Sequence, residues 1–261
     1  MLKTRIITAV IGIPLLLLIL YQGGLAWIAL FAFLAAVALY EYWGMMKSKG
    51  HNPQYVSAGF LLLLLFFRQQ AGEYFMPLLL GAVLLMVLET VILYPRFQLE
   101  DIALSWMGAF YTGFLFGFAL LLQQLPQPFP AVLLVFLVTW GSDVGGYLFG
   151  RLWGKNKMAP LLSPNKTWVG AIGGMILAVA AAAAFNYFYP LPGLSSAHFM
   201  VMALLGSVSA QLGDLFESAI KRYFGAKDSG SIIPGHGGVL DRFDSFLLVL
   251  PVFYYFIMFF R

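Results

Sequence analysis

Apolar positions in this chain come in long unbroken runs separated by short polar connections. The runs fall at Ile6–Tyr21, Leu25–Tyr40, Tyr55–Phe67, Met76–Tyr94, Ile102–Leu122, Ala131–Phe149, Trp168–Tyr189, Phe199–Ala219 and Phe243–Phe260. Most approach the roughly 20 residues that a helix needs to cross a bilayer core of about 30 Å, and Tyr55–Phe67 is the shortest. Backbone groups in hydrocarbon must be satisfied within the segment, and the runs lack the apolar–polar alternation of barrel strands. The pattern therefore predicts an all-α fold, a polytopic integral membrane helical bundle with nine transmembrane helices.

Composition agrees: 61% of residues are hydrophobic, 17% aromatic and only 10% charged, with a mean hydropathy of +0.87. No soluble domain of useful size is left over. The first run follows Lys3 and Arg5 as a signal peptide would. It has no clear small-residue cleavage site and further spans follow, so it reads as a retained helix. With no cysteine, a disulfide framework, a thiolate metal site and a cysteine nucleophile are all excluded.

Charge placement adds an orientation. With nine spans and the N-terminus inside, one side collects Lys3, Arg5, Lys47, Lys49, Arg96, Arg151, Lys155, Lys157, Lys166, Lys221, Arg222, Lys227 and Arg242, and the other keeps Arg68 and Arg261. Cytosolic connections are the basic ones, so the N-terminus is expected in the cytosol. A basic inner face accounts for the net charge of +4 and needs no nucleic-acid partner.

A few acids interrupt the apolar runs. Asp143 lies in VTWGSDVGGYLFG, near the cytosolic end of the sixth run, and Asp214 in GSVSAQLGDLFES, near that of the eighth. A carboxylate at that depth costs a few kcal/mol unless a cation, a metal or water compensates. The plain alternative is hydrogen bonding to a neighbouring helix across Gly141, Gly145, Gly146, Gly206, Ser207, Ser209 and Gly213. Glu89 stands alone in its run and reads equally well as functional or as a packing residue.

The densest charge lies in SAIKRYFGAKDSGSIIPGHGGVLDRFDS, Ser218 to Ser245. If the eighth helix continues through Arg222, then Asp214, Ser218, Lys221 and Arg222 share one side of it. The following loop carries Gly225, Gly230, Gly235, Gly237 and Gly238, where backbone can approach an anion closely. Asp241 and Asp244 open the ninth run one turn apart, and two carboxylates at a membrane surface suit a hard cation. Singly, the aspartates could be helix caps, the lysines and arginines headgroup contacts, and His236 a loop hydrogen-bonder. Runs six and eight end, and seven and nine begin, at one cytosolic level, so Asp143, Asp214, Asp241 and Asp244 are expected to share a site. The connection from Arg151 to Gly170 adds Ser163, Asn165, Lys166 and Thr167 just before a helix start, where an anion is favoured. Its plain alternative is a headgroup-anchoring loop, with Trp153 and Trp168 at the interface. Carboxylates, cations and glycine loops together suggest phosphoryl or nucleotidyl transfer with Mg2+, and a second substrate arriving from the bilayer.

The run Ser218, Lys221, Arg222, Lys227, Asp228, Gly230, Pro234, His236, Gly237, Gly238, Asp241, Arg242 and Asp244 resembles, without mismatch, the signature of the phosphatidate cytidylyltransferase (CDP-diacylglycerol synthase) family. The stretch SPNKTW is similar to that family's S-P-K-K-T-W-E-G. Val169 stands where the family usually has Glu, and Asn165 where Lys is common. The resemblance implies CTP and phosphatidic acid as substrates, CDP-diacylglycerol and pyrophosphate as products, Mg2+ as cofactor, and an optional monovalent cation such as K+. Metal ligation is then expected of Asp214 and Asp241. Catalytic roles fall to Lys221, Arg222, Lys227, Asp228, His236, Arg242 and Asp244. Substrate binding falls to Asp143, Ser163, Asn165, Lys166, Thr167, Ser218, Gly237 and Gly238. Residues 129–261 would form the catalytic region, and residues 1–128 an acyl-chain groove and the surface of a homodimer. Short length without an organelle presequence suggests a bacterial inner membrane, with the site on the cytosolic side. The alternatives are a CTP-dependent polyprenol or lipid kinase and a cation or proton transporter. A CDP-alcohol phosphatidyltransferase would need a denser D-x-x-D-G pattern that is absent here.

Overall fold

The computed structural model of the protein describes residues 2–235 and 237–260, without the side chains of residues 2–7 and 9. His236 and the side chains of Lys3 and Arg5, all singled out above, lie outside the described residues. Each of the nine apolar runs becomes a helix: α1 Leu2–Gln22, α2 Gly24–Ser48, α3 Tyr55–Phe66, α4 Arg68–Ile92, α5 Leu99–Gln123, α6 Pro128–Trp153, α7 Trp168–Phe188, α8 Ser196–Phe224 and α9 Leu240–Phe260. Among the described residues, seven helices, α2 and α4–α9, are long and apolar enough to cross a membrane. At about 1.5 Å per residue, the 12 residues of α3 reach only about 18 Å. The protein is a helical polytopic membrane protein.

Local chemistry sets the helix ends. Gly23 and Gly24, at φ 66° and 59°, break α1 from α2 in a backbone region open to glycine. Gln98 and Asp101 close a capping box over the start of α5. The Thr167 hydroxyl caps α7 by accepting from Gly170 N at 3.1 Å. Between α6 and α7, Lys157–Ala159 (β1) and Ser163–Thr167 (β2) pair as an antiparallel hairpin.

The chain forms two compact units, one of Met1–Leu121 with Tyr223–Arg242, the other of Leu122–Arg222 with Phe243–Arg261. In the first unit α5 is the central helix, 72% buried over its apolar window, whereas that of α4 is 6% buried. A helix so apolar and so exposed is solvated by lipid. Trp27 and Phe31 of α2 pack with Phe116 of α5, and Trp27 Nε1 donates to Ala119 O at 3.0 Å. The Glu89 carboxylate of α4 accepts from Ser57 N at 3.0 Å at the start of α3, so it caps a neighbouring helix.

In the second unit α6 and α7 meet backbone to backbone. A Cβ on Gly174 would lie 2.7 Å from Ser142 O, and one on Gly170 2.7 Å from Gly146 O. Only glycine permits that approach, the usual way helices associate where lipid removes the hydrophobic drive. The Ser142 and Ser207 hydroxyls then bond at 2.8 Å, and Gln211 Nε2 donates to Ala171 O at 3.1 Å. Phe136 and Phe246 stack with centroids 4.4 Å apart.

Candidate functional site

The second unit gathers charge around the C-terminal part of α8. This helix has 29 residues, roughly 44 Å at about 1.5 Å per residue, against a hydrocarbon core of about 30 Å. Its charged end can therefore project beyond the apolar layer. Lys166 Nζ on β2 pairs with Asp214 Oδ2 at 2.6 Å, and Ser218 Oγ donates to Asp214 Oδ1 at 3.4 Å. Arg222 Nε donates to Leu162 O at 3.4 Å. The hairpin is thus tied to α8 at both Asp214 and Arg222.

A further acid, missed in the sequence, belongs to this group. Glu217 is fully buried and pairs with Lys221 one turn on. Asp244 of α9 lies close enough to Asp214, Glu217 and Asp143 to feel the charge of all three. Gly213 explains the proximity: a Cβ there would stand 2.5 Å from Asp244 O, so α8 and α9 touch where the acids sit. Four carboxyl groups thus share a neighbourhood with Lys166 and Lys221.

Among the described residues no three acids or imidazoles converge as a ready-made chelate. The donors are nevertheless all carboxylate oxygens, and Mg2+ usually takes one or two of these and completes its shell with phosphates and water. The residues present fit such an ion.

Other predicted members serve local structure. Thr167 is buried and occupied as the α7 cap. Ser163 and Asn165 lie on β2, where Ser163 pairs with Ala159 and Asn165 is exposed. Val169 is the second residue of α7, a position where a carboxylate would complement the helix dipole; the Thr167 hydroxyl supplies the cap in this chain. Asp143 and Arg222 are exposed.

The first unit holds the remaining candidates. Lys227, Asp228 and Arg242 are exposed. Asp241 Oδ2 accepts from Ser229 N at 2.9 Å, Ser229 Oγ at 3.0 Å and Gly238 N at 2.9 Å. Two backbone amides and a hydroxyl whose single proton is shared with a second acid thus hold that oxygen in place. Gly237 has φ 86°, and a Cβ there would stand 2.9 Å from Asp241 Oδ2. A second acid missed in the sequence, Glu41 of α2, is 3% exposed and reaches this loop. Val239 N donates to its Oε1 at 2.9 Å, and Leu240 N and Ser229 Oγ donate to its Oε2 at 2.9 and 3.2 Å. Both missed acids sit on buried stripes. Ala38, Glu41, Tyr42 and Met45 are buried on α2, and Gly213, Glu217, Ile220 and Phe224 on α8, at the three-to-four spacing of a packed helix face. That periodicity was the available signal.

Comparison with known proteins adds the family. The model of the cytidylyltransferase family matches residues 3–260. Phosphatidate cytidylyltransferases of Staphylococcus epidermidis and Staphylococcus saprophyticus are similar at 39% and 37% identity, and that of Staphylococcus aureus strain COL at 38%. Each alignment covers 96% of this chain and 96% of the relative. A chain with this helical order and this acid-and-lysine group, matched over nearly its whole length, belongs to the cytidylyltransferase family.

Proposed function

We propose that this protein is a CTP:phosphatidate cytidylyltransferase, making CDP-diacylglycerol and pyrophosphate at the cytosolic face of a bacterial inner membrane. The carrying observation is the group Asp143, Asp214, Glu217 and Asp244 with Lys166 and Lys221. Oxygen donors and cations at the end of apolar helices are what a triphosphate and a lipid phosphate both require.

A phosphate oxygen of phosphatidate attacks the α-phosphorus of CTP. A new P–O bond forms, and the bond from the α-phosphorus to the oxygen bridging to the β-phosphate breaks, releasing pyrophosphate. Phosphatidate is ionised near neutral pH, so no strong general base is required. Lys166 exchanges its contact with Asp214 for a phosphate oxygen, which turns the Asp214 carboxylate toward a cation. Lys221, held by Glu217, and Arg222, at the exposed helix end, meet the remaining phosphate charge, the arginine in a bidentate manner. Asp214 in this group, and separately Asp241 at the start of α9, would each offer a carboxylate oxygen to Mg2+, with K+ as an optional second ion. When bound, Mg2+ offsets the charge that develops on the phosphate oxygens.

The test is purified protein in detergent with phosphatidic acid, Mg2+ and CTP labelled at the α-phosphate. Label is expected in a chloroform-soluble product. Label reaching lipid only from γ-labelled CTP would replace this reading with a lipid kinase, and no lipid label from either would remove both.

A further inference from the structure

We infer that Glu41, far from the charged segments in sequence, is a positioning residue for the segment 229–241 that carries Asp241. This rests on the proposed reaction only for its consequence in turnover; the geometry stands apart from it.

A carboxylate on an apolar membrane helix is costly unless donors meet it. Glu41 is met by two backbone amides and one hydroxyl, all from a segment nearly 200 positions later, |i−j| being 188 to 199. Its contacts act as a cap supplied from another helix. The first N–H groups of α9 need acceptors. Leu240 N finds Glu41, Asp241 N finds Ser229 Oγ at 3.3 Å, and Arg242 N finds Val239 O at 3.0 Å. The negative charge also faces the positive end of the α9 dipole.

Two glycines of the loop are shaped around this carboxylate. A Cβ on Gly230 would lie 2.6 Å from Glu41 Oε1, and one on Gly238 2.6 Å from Glu41 Oε2. The protein's own side chain therefore occupies the space that these glycines leave open. Ser229 Oγ completes the link: it lies 3.2 Å from Glu41 Oε2 and 3.0 Å from Asp241 Oδ2, and has one proton for the two. Thr8 Oγ1 of α1 donates to Pro234 O at 3.2 Å, a second tie on the same loop. Movement of Glu41 is thus passed to Asp241 through one hydroxyl and one turn of helix.

Glu41→Gln in the full-length protein in detergent is the test, because it keeps the side-chain volume but puts an NH2 group against a donor. Amide hydrogen exchange across 229–241 is expected to accelerate at least tenfold, with exchange across 99–123 unchanged. Turnover of folded, monodisperse protein is expected to fall 10- to 100-fold. The Mg2+ concentration for half-maximal rate should rise at least fivefold, a shift that a smaller folded fraction would not produce. Unchanged exchange overturns the inference, and so does faster exchange with unaltered turnover and Mg2+ dependence. If the unsubstituted protein shows no lipid labelling, the proposed reaction fails and the exchange result alone decides on Glu41. Should Glu41→Gln not fold, Ser229→Ala carries the test. It keeps both amide contacts, so a threefold or greater rise in exchange and a three- to tenfold fall in turnover support the inference, and no change in either sinks it.

Discussion

The two units neutralise their acids by different means. In the first, Glu41 and Glu89 take backbone N–H groups at helix starts. In the second, Asp214 and Glu217 take the side-chain ammonium groups of Lys166 and Lys221, and Asp244 stands within reach of three further acids. Backbone amides are fixed in place, so an acid that satisfies them holds structure. A lysine is a mobile charge on a long stem and can leave for a phosphate. The difference separates acids that shape the protein from acids available to a ligand.

The contrast should break most sharply at Asp214. Asp214→Asn is expected to lower kcat about 1000-fold, roughly 4 kcal/mol of barrier, with an unchanged elution volume in size exclusion. Activity within about tenfold of the original would remove it as a principal ligand. Lys166→Ala comes next, with kcat/KM down about 100-fold, roughly 2.7 kcal/mol. Lys166→Arg should recover part of this in the same labelling assay, and an alanine variant as active as the parent would leave Lys166 a mere tether for the hairpin. Gly174→Val tests the frame of the second unit: overpacking of this kind costs about 1–3 kcal/mol, read as a lower midpoint of thermal unfolding in detergent. The smallest effect belongs to Glu89→Gln. It should cost about 1 kcal/mol in stability, in line with one weakened hydrogen bond to a charged acceptor, with kcat within threefold. A large loss of turnover there would erase the distinction between amide-held and lysine-held acids.

Much of this was legible before any coordinates. The helices among the described residues follow from runs of apolar residues because a bilayer admits few alternatives, seven of them being long enough to span it, and Asp143 and Asp214 stand out because charge is expensive there. Glu41 and Glu217 did not stand out, since each lies near basic residues that make an acid look like an ordinary interface charge. Only their place on a buried stripe betrays them. Glu89 was open between function and packing, and its carboxylate accepts from Ser57 N at the start of α3. The β1–β2 hairpin was illegible for another reason: three and five residues are too few for a period to show.

The seam between α6 and α7 bears on how this chain can drift over evolutionary time. Val144 and Tyr147, 51% and 61% exposed, face outward; any apolar side chain serves at Val144, while the Tyr147 hydroxyl accepts from Arg151 Nη1 at 2.6 Å. Gly145, between them in sequence, lies against the backbone of Gly173 and Gly174, where not one carbon can be added. No compensating change can reopen that space, because its walls are main chain rather than side chain. Adjacent positions on one helix turn are therefore under opposite regimes, one nearly free and the other closed, and a collection of natural variants should show that divide at single-residue resolution.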